Sequence, residues 1–143
     1  MLYNEVAMAV FGLIGIGALG AWHLAGLLLL KRFKPSGDGQ NYIAVLTTFW
    51  GLLALHVSEI AWCAVMLAVA LAMSNASLVV DGYGDTVSGL AYLAGVSFTT
   101  LGFTGQTVSG PIRLLLMIQS LGGFMILTWS ATFVYSIWEE RFR

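Results

Sequence analysis

Polar residues are scarce in this sequence, so the few that interrupt its apolar runs mark where chemistry can happen. One such interruption is Thr99-Thr100-Leu101-Gly102-Phe103-Thr104-Gly105, where hydroxyls and glycines replace large aliphatic side chains. Non-helical backbone inside a bilayer is tolerated only where protein buries it or where it lines a water-filled path. Carbonyls along such a path can replace the hydration shell of a cation. A second interruption is the pair His56 and Glu59, one turn apart on an apolar segment and therefore on one helix face. Ionisable groups at such depth are costly and serve a purpose. The pair is expected to brace the helix ahead of the Thr-Gly stretch, Glu59 meeting Ser97 or Thr99 with His56 as its partner. Proton sensing is the alternative. A metal site would need a further ligand, and His23 is the only other histidine. His23 and His56 could instead be axial ligands of a haem in an electron-transfer subunit. The lone Cys63 excludes an intrachain disulfide, and its apolar surroundings point to a packing thiol.

These residues must be held by membrane helices. The chain has 143 residues, 59% hydrophobic and 9% charged, with a mean hydropathy of +0.88. That composition excludes an ordinary soluble domain and implies an integral protein of the lipid bilayer. The length leaves room for three spans of about 20 residues and one shorter segment that enters and leaves on the same side. The fold class expected is all-α, with spans near residues 6–31, 42–73 and 111–138 and a short re-entrant helix ending in the Thr-Gly stretch near 87–105. A formal net charge of −1 offers nothing to nucleic acid, and no enzyme chemistry or cofactor is implied.

Asn4 and Glu5, with no basic residue, precede the first apolar run, unlike a cleavable signal peptide. Gly15, Gly17 and Gly20 spell a dinucleotide-binding pattern, but no strand precedes them. Gly17, Ala21 and Ala25, spaced by four, are expected to form a groove for close helix packing. Lys31, Arg32 and Lys34 place the first turn in the cytoplasm, and Arg141 and Arg143 place the carboxyl end there too. The amino terminus and residues 74–88 then lie outside. Gly82-Tyr83-Gly84-Asp85 looks like a filter, yet it lacks a helix before it and a full span after it, so a turn is expected. Asn75-Ala76-Ser77 fits a glycosylation sequon by coincidence. Thr86 or Ser88 can cap the short helix, and Pro111 suits the first turn of the last one. Trp129, Tyr135 and Trp138 are available as interfacial anchors.

From about Leu90 to Val134 the chain resembles the pore module of the potassium-channel superfamily: a short helix, Thr100-Leu101-Gly102-Phe103, a loop, and a long helix opened by Pro111. The family filter reads T-x-G-Y-G-D. Here Phe103 stands at the tyrosine, Thr104 at the second glycine and Gly105 at the aspartate. The resemblance implies a homotetramer of the bacterial inner membrane, passing potassium or sodium. The permeant cation would meet the carbonyls of Thr100, Leu101, Gly102 and Phe103 and the Thr100 hydroxyl. Thr104 and Gly105 would shape the outer filter. A β-branched residue resists the backbone conformation the second glycine supplies, so weak discrimination between the two ions is expected. The resemblance also makes Gly122-Gly123 a gating hinge, with packing under the pore helix as the alternative, and lets Leu127, Ala131 and Val134 or Tyr135 narrow the cavity below. A non-conducting scaffold subunit would share the composition but leave the Thr-Gly stretch idle.

Overall fold

The computed structural model describes residues 2–33, 41–74, 78–79, 86–102 and 105–142. Its elements are α1 (Leu2–Phe33), α2 (Asn41–Ser74), β1 (Leu78–Val79), α3 (Val87–Phe98), β2 (Thr107–Val108) and α4 (Ile112–Phe142). Three of the helices are long and apolar enough to cross a membrane, over Glu5–Phe33, Tyr42–Met73 and Ile112–Glu140. This is a multi-pass, all-α membrane protein with, among the described residues, one two-residue strand pair. The long helices extend a few residues beyond the expected spans.

Close approaches fix the register. Ideal Cβ atoms built at Gly15 and Gly26 of α1 would collide with Met66 and Leu55 of α2, and one at Gly51 with Leu30. The partners run in opposite order, so α1 and α2 are antiparallel. Gly12 of α1 faces Leu115 and Ile118, and Gly122 of α4 faces Ile16, so α1 and α4 run parallel. The expected groove is therefore displaced: Gly17 has nothing within 4 Å, and Ala21 and Ala25 are exposed. Glycines 12, 15 and 26 make the close contacts instead. An apolar helix carries no polar face to say which of its small-residue rows meets protein.

The short helix α3 descends between α2 and α4. Its first turn is capped by Thr86, whose Oγ1 accepts the Gly89 amide at 3.1 Å. Its last residue, Phe98, is fully buried, with its ring 6.0 Å from that of His56 and its carbonyl against Gly123. Gly123 lies roughly 17 Å along α4, and His56 lies near the middle of α2. The α3 carboxyl end thus sits about halfway down the bundle. The chain then returns, because β2 pairs antiparallel with β1, Leu78 opposite Val108 and Val79 opposite Thr107. The core gathers around this arrangement: Leu19, Cys63, Leu67, Leu93, Ala94, Phe98, Ile112 and Leu115 are among its buried members.

Candidate functional site

The carboxyl end of α3 is closed by a backbone motif. The Leu101 amide donates to the Val96 carbonyl at 3.1 Å and the Thr100 amide to the Ser97 carbonyl at 3.0 Å, the pairing of a Schellman cap. That cap requires a left-handed residue, and Thr100 supplies it with φ 59°. Glycine normally occupies this position. A β-branched residue there is a backbone outlier that stores about 1–3 kcal/mol of strain. Gly102 is left-handed as well, at φ 64°, and Leu101 between them projects a side chain that is 71% exposed. Of the expected filter residues, Phe103 and Thr104 lie outside the described residues, as do Gly82-Tyr83-Gly84-Asp85 and Asn75-Ala76-Ser77; Gly105 is exposed, with nothing within 4 Å of its ideal Cβ.

Below α3 lies a polar cluster in an apolar interior. Glu59 Oε1 is 2.7 Å from His23 Nδ1, and Oε2 is 2.7 Å from His56 Nδ1. His23 and Glu59 are fully buried. The two imidazoles are parallel within 9°, their centroids 5.9 Å apart. Ser130 Oγ of α4 lies 3.4 Å from His23 Nε2, and the Trp129 ring is 5.3 Å from that imidazole. One residue before each member of the His23–Glu59 pair, Trp22 Nε1 donates to Ser58 Oγ at 3.1 Å. The cluster therefore joins α1, α2 and α4 and touches α3 through the His56–Phe98 contact.

The expected His56–Glu59 pair forms, but it does not brace α3 through hydroxyls. Ser97 Oγ donates to the Leu116 carbonyl at 2.9 Å and Thr99 Oγ1 to the Gly95 carbonyl at 2.7 Å, so neither reaches Glu59. His23 takes the second carboxylate oxygen because the α1–α2 register sets it opposite Glu59. Nothing in the sequence singles out Ser130 or Gln119 among the scattered polar residues of a long apolar helix that also carries Ser120, Thr128, Thr132 and Ser136. Gln119 is fully buried; its Nε2 donates to the Cys63 carbonyl at 3.0 Å while Oε1 has no partner among the described residues. Trp129, too deep in α4 to mark the interface, packs on His23.

One carboxylate engages both Nδ1 atoms, so a haem held by His23 and His56 would have to use their Nε2 atoms, and His23 Nε2 has Ser130 Oγ at 3.4 Å.

Gly122 and Gly123 lie within one continuous helix. A Cβ at Gly122 would meet the Ile16 side chain, whereas one at Gly123 would fall 2.0 Å from the Phe98 carbonyl oxygen. The pair is a packing seat for α1 and the end of α3. Among the residues expected to narrow a cavity, Leu127 packs on the core, Val134 is half-buried, and Ala131 and Tyr135 are exposed. No family model, curated protein or solved structure matches this chain.

Proposed function

We propose that this chain is one subunit of a homotetrameric, potassium-channel-like cation channel, with residues 87–105 as a re-entrant pore helix and filter. The observation that carries it is the path between the two strands. A 12-residue helix enters from the β1–β2 end, stops halfway down the bundle, and hands over to left-handed Thr100 and Gly102 before the chain returns to β2. Left-handed Thr100 and Gly102 end the helix in irregular backbone, which at membrane depth is tolerated where protein buries it or where it lines a water-filled path. The partial negative charge at the α3 carboxyl end favours a cation at that depth.

One chain supplies one row of carbonyls, so four are needed to surround an ion. The carbonyls of Thr100, Leu101, Gly102 and Phe103 line the path for potassium or sodium. The amino terminus and the β1–β2 end face outward, and residues 31–40 and the carboxyl terminus face the cytoplasm of a bacterial inner membrane. Strain at Thr100 fits this role, because a helix end alone would be better served by glycine. A β-branched Thr104 in place of the family's second glycine is expected to weaken selection of potassium over sodium. Replacing Thr104 with Gly together with Gly105→Asp is expected to raise the potassium preference in reversal potentials; no change sinks that assignment.

The test is cation flux in liposomes holding the purified protein. Potassium and sodium uptake, abolished when Gly102 is replaced by a bulky residue, is the expected result. Assembled protein that passes neither ion would leave the chain a scaffold subunit.

A further inference from the structure

A carboxylate buried in an apolar bundle is neutralised by a proton, a cationic side chain or a metal. The described lysines and arginines, Lys31, Arg32, Arg113 and Arg141, sit near helix ends, far from Glu59 along their helices. What surrounds Glu59 is a pair of imidazoles. One ring nitrogen of His23, one of His56 and a carboxylate oxygen of Glu59 lie within 4.8 Å of one another, and each Nδ1 is 2.7 Å from a Glu59 oxygen. Two imidazole nitrogens and one carboxylate form a ligand set used by zinc and its neighbours, and imidazole disfavours calcium and magnesium. We infer that His23, His56 and Glu59 bind a divalent transition-metal ion of the zinc class through both Nδ1 atoms and the Glu59 carboxylate.

Ligand bonds of roughly 2.0–2.2 Å keep donors on one ion within about 4.2 Å of each other. Donors inside 4.8 Å must close by about half an ångström, a matter of side-chain rotation. Ligation needs a bare Nδ1, so the proton each Nδ1 shares with the carboxylate at 2.7 Å is given up, to Nε2 where that nitrogen is bare and otherwise to solvent as the ion binds. For His23 the Nε2 proton has an acceptor, Ser130 Oγ at 3.4 Å, the kind of outer partner that metal-bound histidines keep. His56 is the member of the three with exposed surface, at 17%, and is the side from which an ion can enter. The ion ties α1 to α2 directly beneath Phe98. Its binding does not depend on whether the protein conducts.

The experiment uses the full-length chain without a polyhistidine tag, purified in detergent, stripped by chelator and titrated with Co2+. Visible absorption reports the bound ion, and Zn2+ is the competitor. The wild type and Ser58→Ala, altered beside the cluster but not in it, are expected to bind one Co2+ per chain that Zn2+ displaces. His56→Gln and Glu59→Gln are expected to weaken binding at least tenfold. Less than stoichiometric Co2+ in the wild type overturns the site even if neither variant folds. So does an unchanged affinity in well-folded Glu59→Gln, and the cluster is then a proton-sharing clamp.

Discussion

Gly123→Ala should displace the end of α3, and the size of the effect follows from the contact it creates. The added Cβ would lie 2.0 Å from the Phe98 oxygen, 2.7 Å from its carbonyl carbon and 2.8 Å from its Cα. All three are backbone atoms, so no rotamer relieves the collision. Restoring van der Waals separation requires α3 and α4 to part by more than about 1 Å. Overpacking of this kind costs about 1–3 kcal/mol, while alanine returns about 1 kcal/mol of helix propensity over glycine. Two other glycines serve as references. Gly17→Ala of α1 meets nothing within 4 Å and should gain stability, and Gly122→Ala meets the Ile16 side chain, nearest at 2.5 Å, and no backbone atom within that contact. Thermal unfolding of the assembled protein in detergent should rank Gly17→Ala above Gly122→Ala and Gly123→Ala lowest. Ion flux in liposomes should fall sharply in Gly123→Ala alone. If Gly123→Ala is as stable and as conductive as Gly17→Ala, the packing seat is wrong.

Three other outcomes are expected. Glu59→Gln keeps an acceptor and a donor for the two imidazoles, whereas Glu59→Ala strips both of a buried partner and should be less stable by about 2–3 kcal/mol in chemical unfolding; equal stabilities would show that the cluster braces nothing. Thr100→Gly relieves the left-handed strain at φ 59° and should stabilise the fold by up to about 1 kcal/mol while impairing selectivity; a less stable protein would refute strain at this residue. Cysteines placed at Val87 and Ser109 in a Cys63→Ala background should react with an impermeant reagent from one side of the membrane and a cysteine at Phe33 from the other; opposite labelling of the first two would mean that α3 crosses.

What could be read from the sequence was whatever lipid dictates. Long apolar runs gave the three spans, the shorter run before the Thr-Gly stretch gave α3, and Thr86 gave its cap, because backbone satisfaction in a bilayer leaves helices as the only solution. Partners across helices were less legible. The sequence suggests His23 as a further metal ligand or a haem ligand beside His56 but not as a partner of Glu59, since that pairing depends on the α1–α2 register, which Gly15, Gly26 and Gly51 set through contacts three-dimensional in origin. Lipid and protein interiors are equally apolar, so Gly17, Ala21 and Ala25 looked as suitable for packing as the glycines that do it. Two-residue strands such as β1 and β2 carry too little pattern to find, although their pairing is what returns the chain after α3.

The most direct measurement of tetrameric conduction is a density map of the assembled protein in potassium, at a resolution that resolves ions. Four chains should surround one axis, with ion density at the level of the Thr100, Leu101 and Gly102 carbonyls and no four evenly spaced sites above them. An assembly without fourfold symmetry, or one with Thr100 to Gly102 turned toward lipid, would contradict the channel.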